Sequence, residues 1–191
     1  DANAPLQRTR DREVDIHHIK IDVSVDLKAQ SVFGNVVHTL SPLQSQLESF
    51  SLDAEDMVIR RVRVGEDNVE FNHIGGKVHI LLPRSIGWND TIDVRLDYSA
   101  KPRLGTFFFK PDEIYPDQPW QAWTQGEEED NHHWVPLYDF PNDKSTFEVI
   151  LTVDQRFKAV SNGELVSIKK NMVGTHTWHW KENYPMVAYL I

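Results

Sequence analysis

The chain has 191 residues and a formal net charge of −9, from 29 acidic and 20 basic side chains. Hydrophobic residues make up 40% and charged residues 26%, which is typical of a soluble folded domain. The acidic surplus argues against a nucleic-acid partner, the lack of cysteine excludes disulfides and thiolate metal ligands, and no apolar run approaches the roughly 20 residues of a membrane span.

The first 14 residues are predicted to be a polar N-terminal extension, and residues 15–191 to be one domain. The extension has no apolar core of a signal peptide, so the sequence leaves export open. From Ile19 to Leu27 apolar and polar residues alternate strictly, which predicts a half-buried β-strand. The run 31–40 predicts its hairpin partner.

Short β-type segments separated by turn residues continue through the rest of the chain. Gly75-Gly76 and Asn162-Gly163 are turn pairs, and the second is the strongest hairpin signal in the sequence. The Pro-rich segment 110–121 is predicted to cross the surface between sub-sheets. The further predicted strands are Phe50–Leu52, Val58–Val64, Val69–Phe71, Val78–Leu82, Thr91–Tyr98, Thr106–Phe109, Trp120–Thr124, Thr146–Val153, Ala159–Val160, Glu164–Ile168, Thr175–Trp180 and Met186–Ile191.

The pattern predicts an all-β fold, an antiparallel β-sandwich or saddle. No apolar pattern of period 3.6 extends beyond about two turns, so no long helix is expected. The final β-type run, Met186–Ile191, is followed by no turn or cap, and we therefore interpret the chain as a fragment. Most of the six tryptophans are expected in the core, although a sugar-stacking surface is the alternative.

Nine histidines raise the question of a metal site. Neighbouring side chains on a strand point to opposite faces, so His17-His18 and His132-His133 cannot each chelate one ion in regular β structure. No His-Glu-x-x-His motif occurs, and structural or surface histidine is the favoured interpretation, with no metal ligand assigned. The acidic run 127–130 lacks the spaced ligands of a calcium loop, and residues 128–133 are interpreted as a solvated loop. No nucleophile elbow or phosphate loop is present, so no catalytic residue is assigned.

Three motifs in the second half occur together in a known family. They are Thr124-Gln125-Gly126-Glu127, then the segment 134–141 with an aromatic residue followed by Pro-x-x-Asp-x-Pro, then the Lys-x-x-Phe strand start 144–147. With the opening hairpin, the Ser-Asn-Gly turn and the Pro-Met-x-x-Tyr-Leu segment, this pattern resembles the N-terminal domain of the membrane alanyl aminopeptidase (aminopeptidase N) family of gluzincin zinc metallopeptidases, in its bacterial form.

The resemblance implies a parent zinc aminopeptidase that removes N-terminal amino acids from peptides. It implies that zinc lies in a separate C-terminal catalytic domain that packs on this one, and that this fragment alone holds no cofactor and is inactive. It also assigns Gln125 to the S1 pocket and Glu127 to the substrate's α-amino group. Gly126 departs from the bulkier residue usual between them, which concerns local packing.

Three alternatives stay open at this point. The first is a non-catalytic β-sandwich that binds glycans or other ligands. The second is a scaffold that has lost its zinc site, and the third is part of an epoxide hydrolase similar to leukotriene hydrolase. Glu127 in place of Gln favours a peptidase over the last of these. The family resemblance favours a periplasmic or secreted location over the cytoplasm.

Overall fold

The computed structural model describes residues 9–191, and these residues form three β-sheets around one core. The alternating segments of the sequence form strands because their apolar side chains reach the core while polar side chains face outward. The strands are β1 Val14–Asp26, β2 Ser31–Pro42, β3 Leu47–Asp53, β4 Met57–Val64, β5 Asp67–Asn68, β6 Phe71–Ile74, β7 Lys77–Ile86, β8 Ile92–Ala100, β9 Thr106–Phe109, β10 Gln121–Thr124, β11 Ser145–Asp154, β12 Glu164–Lys170 and β13 Thr175–Met186.

Eight strands form the largest sheet, in the order β12-β13-β11-β1-β2-β8-β4-β5. A second sheet has the order β3-β7-β6, and β9 and β10 form a separate pair. Two short 3-10 helices, Asn131–His133 and Ala188–Leu190, complete the described elements. The described residues contain no helix that is long and apolar enough to cross a membrane.

The core lies between the large sheet and the three-stranded sheet. Ile21, Val36 and Leu96 of the large sheet are fully buried in one cluster with Phe50 and Ile80 of the smaller sheet. This packing confirms the all-β sandwich that the alternating pattern predicted. One pairing departs from a purely antiparallel arrangement, because β1 and β11 run parallel.

Most predicted strands are present, and both early turns are confirmed. β1 pairs with β2 across a four-residue turn, and Gly75-Gly76 joins β6 to β7 with positive φ at both glycines. Each of these two sheets therefore contains a hairpin that its local sequence predicts.

Two predictions near the C-terminus are wrong. Ala159–Val160 is not a strand, so Asn162-Gly163 does not close a hairpin. The Asn162 side chain instead donates a hydrogen bond to the Leu190 carbonyl, at 2.6 Å. The predicted strand Met186–Ile191 is also wrong, because β13 ends at Met186 and a 3-10 helix follows.

Two further expectations need correction. The Pro-rich segment 110–121 joins β9 to β10, which pair with each other, so it is a long loop within one hairpin and not a crossing between sheets. Among the tryptophans only Trp134 lies in the buried core, while Trp88 and Trp123 are exposed.

The part of the predicted N-terminal extension that is described contacts the domain. The Arg10 guanidinium donates to the Asp53 carboxylate at 2.5 Å, and Arg12 forms ion pairs with Asp15 and Asp143. β1 begins at Val14, one residue before the predicted start of the domain.

Candidate functional site

The segment that carries the predicted site residues leaves the sheet at the end of β10. Its backbone pairing with β9 ends at Thr124, and the Gln125 N–H then donates to the Gly105 carbonyl at 3.0 Å. This hydrogen bond holds Gln125 in an extended conformation next to the hairpin. Its side chain is exposed, as a residue that lines a binding surface must be.

Gly126 differs from its two neighbours in burial. Gln125 and Glu127 are exposed, whereas Gly126 is buried against the side chain of Asn131. A Cβ atom at Gly126 would lie 2.4 Å from Asn131 Nδ2, so no larger side chain fits without displacing Asn131. The small residue at position 126 is therefore required by local packing, and the two flanking side chains remain exposed.

Asn131 connects this segment to the end of the chain. Its side-chain amide donates to the Ala188 carbonyl at 2.7 Å, and its carbonyl oxygen accepts from Trp134 Nε1 at 2.8 Å. Both bonds are buried, so Asn131 fixes the position of the turn between Gly126 and the 3-10 helix.

The acidic turn divides into two parts. Glu127, Glu128 and Glu129 are exposed, and the Asp130 N–H closes the turn by donating to the Gly126 carbonyl at 3.0 Å. The Glu127–Glu128 peptide bond is cis. The prediction of a solvated loop holds for these glutamates, but it is wrong for Asn131 and His133, which are buried because they pack beneath the turn.

The pKa of Glu129 lies above its usual value. Partial burial is the largest cause, and the negative charges of Asp139 and Asp53 add to it, while Arg10 and His132 oppose it. Asp139 and Asp53 therefore place negative charge near this end of the turn, and Arg10 and His132 partly offset it.

A groove of about 560 Å³ runs beside this segment. Gln125 lines the groove together with Trp123, Asn162 and Tyr189, and Leu151 of β11 contributes to its apolar wall. Glu127 lies outside the groove's lining, on the adjoining acidic turn. Of the two predicted residues, Gln125 therefore lines the groove, and Glu127 is exposed on the turn outside it.

The histidine pair of the 3-10 helix lies among carboxylates. His132 Nδ1 lies 2.9 Å from Asp139 Oδ2, and His133 Nδ1 lies 2.7 Å from Asp56 Oδ2. Burial alone would lower the pKa of His132, but the hydrogen bond and charge of Asp139 outweigh it and raise this pKa. The pKa of Asp56 is lowered, because hydrogen bonds from Arg103 and His133 outweigh its desolvation.

Glu55, His132 and His133 are the described residues whose ligand atoms come close enough to hold a metal ion, all within 4.8 Å of one another. His132 and His133 do not lie in a β-strand, because residues 131–133 form a 3-10 helix. Their two rings lie 4.5 Å apart, so the pair does not point to opposite faces as a strand would require. The sequence could not indicate Glu55, because it precedes the pair by more than 70 residues and lies in the connection between β3 and β4.

Residues 15–190 match the protein family described as the Peptidase M1 N-terminal domain. The match spans nearly the whole chain, so the chain belongs to this family, and the family that the motifs of 124–147 predicted is confirmed.

Curated relatives include complete enzymes of which this chain matches one part. Leucine aminopeptidase 2 of Vanderwaltozyma polyspora is 23% identical over 183 residues, which cover 92% of this chain and 27% of that protein. Leukotriene A-4 hydrolase of Xenopus laevis is 23% identical over 191 residues, with 92% of this chain and 30% of that protein covered. The chain thus spans less than a third of these relatives.

Solved structures with the same fold come from the same group of proteins. An M1 zinc metallopeptidase variant from Deinococcus radiodurans, bound to a Tyr-Ser-Ala substrate, superposes with a TM-score of 0.80 at 23% identity and covers 93% of this chain and 41% of that one. Yeast leukotriene A-4 hydrolase superposes with a TM-score of 0.75 at 16% identity and covers 93% and 28%. At these identities the superpositions show the shared fold.

Proposed function

We propose that this chain is the N-terminal domain of a zinc aminopeptidase and that it supplies the edge of the active site which binds the substrate's amino terminus. The observation that carries the proposal is the family match over residues 15–190 together with the exposure of Gln125 and Glu127. Aminopeptidases and metallopeptidases among the relatives support an exopeptidase parent.

Glu127 is suited to bind a peptide's α-ammonium group. A carboxylate accepts charge-assisted hydrogen bonds from an ammonium, and these are about twice as strong as neutral ones. The surrounding acidic turn adds negative potential, which raises the local concentration of a cationic amino terminus. Binding at this point would hold the first residue of the peptide at a fixed distance from the reacting bond.

Gln125 is suited to contact the first side chain of the substrate. It extends from the same segment as Glu127 with Gly126 between them, and it lines the groove of about 560 Å³ whose wall includes Trp123. In this proposal the groove forms one side of the S1 pocket.

The zinc ion of the parent would be held by sequence outside these 191 residues. The family's zinc motif His-Glu-x-x-His does not occur here, so the residues present do not supply that site. We propose that a C-terminal catalytic domain packs on this one. We also propose a periplasmic or secreted location for the parent enzyme.

The test uses the parent enzyme with Glu127→Gln, and Glu128→Gln as the matched control on the same exposed turn. We expect Glu127→Gln to raise KM for peptides with a free amino terminus by about 10-fold or more, since a hydrogen bond to a charged group contributes about 1.5–3 kcal/mol. The Glu128→Gln enzyme should keep the KM of the unmodified enzyme. Equal KM values for all three enzymes would contradict the role of Glu127.

A further inference from the structure

Two separate segments of the chain meet at the histidine pair. Glu55 lies in the connection between β3 and β4, and His132 and His133 lie on the 3-10 helix after the acidic turn. The Glu55 N–H donates to the His132 carbonyl at 2.9 Å, which holds the two segments together. We refer to Glu55, His132 and His133 as the histidine cluster.

Both imidazoles are oriented by carboxylates behind them. The distances of 2.9 Å from His132 Nδ1 to Asp139 and 2.7 Å from His133 Nδ1 to Asp56 are those of hydrogen bonds. Each neutral ring therefore carries its proton on Nδ1 and a lone pair on Nε2. Histidines that ligate metals generally have such a carboxylate partner on the other nitrogen, because it fixes the tautomer and increases the basicity of the ligand.

The site also has room for the third ligand. A Cβ atom at Gly76 would lie 2.6 Å from Glu55 Oε1, so the missing side chain of Gly76 leaves the space that the Glu55 carboxylate occupies. The Glu55 side chain is 42% exposed and can change its rotamer, whereas that of His133 is 7% exposed and fixed. The ligand atoms of the three residues lie within 4.8 Å of one another, and Glu55 Oε2 lies 4.0 Å from His133 Nδ1. Rotation of the exposed Glu55 side chain would bring its carboxylate towards the Nε2 atoms that remain free for a metal ion.

An unpaired buried oxygen lies in the shell around the cluster. Asp139 is 1% exposed, and its Oδ1 atom has no hydrogen-bond partner among the described residues, although its Oδ2 atom accepts from the His132 backbone and ring. A buried carboxylate oxygen without a partner is costly, and a polar group that reached Oδ1 would stabilise this carboxylate.

We propose that Glu55, His132 and His133 bind one divalent transition-metal ion, with Zn²⁺ as the preferred ion. Two imidazole nitrogens and one carboxylate oxygen are a ligand set that zinc accepts, and water fills the remaining position. The bound ion cross-links the β3–β4 connection to the turn that follows Glu127. Nothing in this proposal depends on the proposed aminopeptidase function.

The first experiment titrates the metal-free 191-residue chain with ZnCl₂ by isothermal calorimetry at neutral pH. We expect saturable binding of one Zn²⁺ ion per chain, and a thermal unfolding midpoint that rises with the concentration of free Zn²⁺ because the ion binds the folded state. Binding should weaken as the pH falls, since protons compete for the imidazoles. Absence of saturable binding would overturn the proposal.

Matched variants separate this site from adventitious binding by exposed histidines. Glu55→Gln and His132→Asn should each weaken Zn²⁺ binding by about 10-fold or more, which is the loss that changing even a residue behind a metal ligand causes. Glu48→Gln and His17→Asn change exposed residues away from the cluster and should leave the affinity unchanged. Circular dichroism establishes that each variant is folded. Folded Glu55→Gln and His132→Asn chains that bind Zn²⁺ as tightly as the controls would refute the site.

Discussion

At the scale of single residues, Gly126 shows how one position decides the shape of the segment that we propose to bind substrate. It is buried between two exposed neighbours, and Asn131 occupies the space in front of it. Asn131 in turn bonds to Ala188 and Trp134, so a change at Gly126 reaches the core and the C-terminal 3-10 helix.

Gly126→Ala should therefore destabilise the fold. The new Cβ atom would lie 2.4 Å from Asn131 Nδ2, and relieving this contact disrupts the two hydrogen bonds of Asn131. We expect a loss of about 1–3 kcal/mol in the free energy of unfolding, the usual cost of overpacking a filled site. Urea denaturation measures it, with Gln125→Ala as the control at the exposed neighbour. A Gly126→Ala chain as stable as the control would show that Asn131 moves away without cost.

Burial of His38 makes the free energy of unfolding depend on pH. It is fully buried in β2, and this burial lowers its pKa to about 4, against the opposing effect of its hydrogen bond to the Pro136 carbonyl. The unfolded chain takes up a proton at this histidine below about pH 6.5, whereas the folded chain does so only near pH 4. The contribution of His38 to stability is therefore present above pH 6.5 and is lost as the pH falls towards 4.

We expect this histidine to reduce the free energy of unfolding by about 3 kcal/mol between pH 6.5 and 4, at about 1.4 kcal/mol per pH unit. Urea denaturation at several pH values measures the slope. The His38→Asn variant does not titrate and can still donate to Pro136, so its stability should depend less on pH over this range. Identical slopes for the two proteins would exclude His38 as the cause.

At the scale of elements, the segment 134–139 is held in place by the end of β3. The backbones of Asp53 and Leu137 exchange two hydrogen bonds, of 2.7 and 3.0 Å. The Asp53 carboxylate also accepts from the Asp139 N–H at 3.0 Å and pairs with Arg10 and Lys77. Burial alone would raise the pKa of Asp53, but these partners outweigh it and lower this pKa.

Removing this carboxylate should loosen the whole segment. Asp53→Ala leaves the Asp139 N–H without its buried partner and Arg10 without its counter-ion, and we expect a loss of about 3 kcal/mol in the free energy of unfolding. Asp154→Ala removes an exposed carboxylate that pairs with Arg156, so chemical denaturation should show little change for that variant. Similar stability of the two variants would mean that Asp53 contributes no more than a surface ion pair.

At the scale of the whole molecule, the chain corresponds to one domain of much longer relatives. It covers 27% of the Vanderwaltozyma polyspora aminopeptidase and 41% of the Deinococcus radiodurans metallopeptidase chain. The substrate-binding edge that we propose therefore needs the remaining sequence of the parent to supply the chemistry.

The 191-residue chain should release no amino acid from peptides, with or without added Zn²⁺. It lacks the His-Glu-x-x-His motif that provides the metal ligands and general base of such enzymes. A fluorogenic amino-acyl substrate tests this with the parent enzyme as the positive control. Turnover that co-purifies with the chain would contradict the expectation.

The sequence by itself determined the fold class and the family. Strand alternation, as in 19–27, reports local burial with a period of two, and short ordered motifs such as Thr124–Glu127 are written contiguously in the chain. Both kinds of signal are local, so no tertiary information is needed to find them.

The tertiary structure decided what depends on residues far apart. The parallel pairing of β1 with β11 and the end of β13 at Met186 follow from packing that local propensity does not encode. The histidine cluster has the same origin, because the 3-10 geometry of His132-His133 and the approach of Glu55 arise only when two sheets close on one core. Burial and long-range contact fix these features, and the linear order of residues specifies neither one directly.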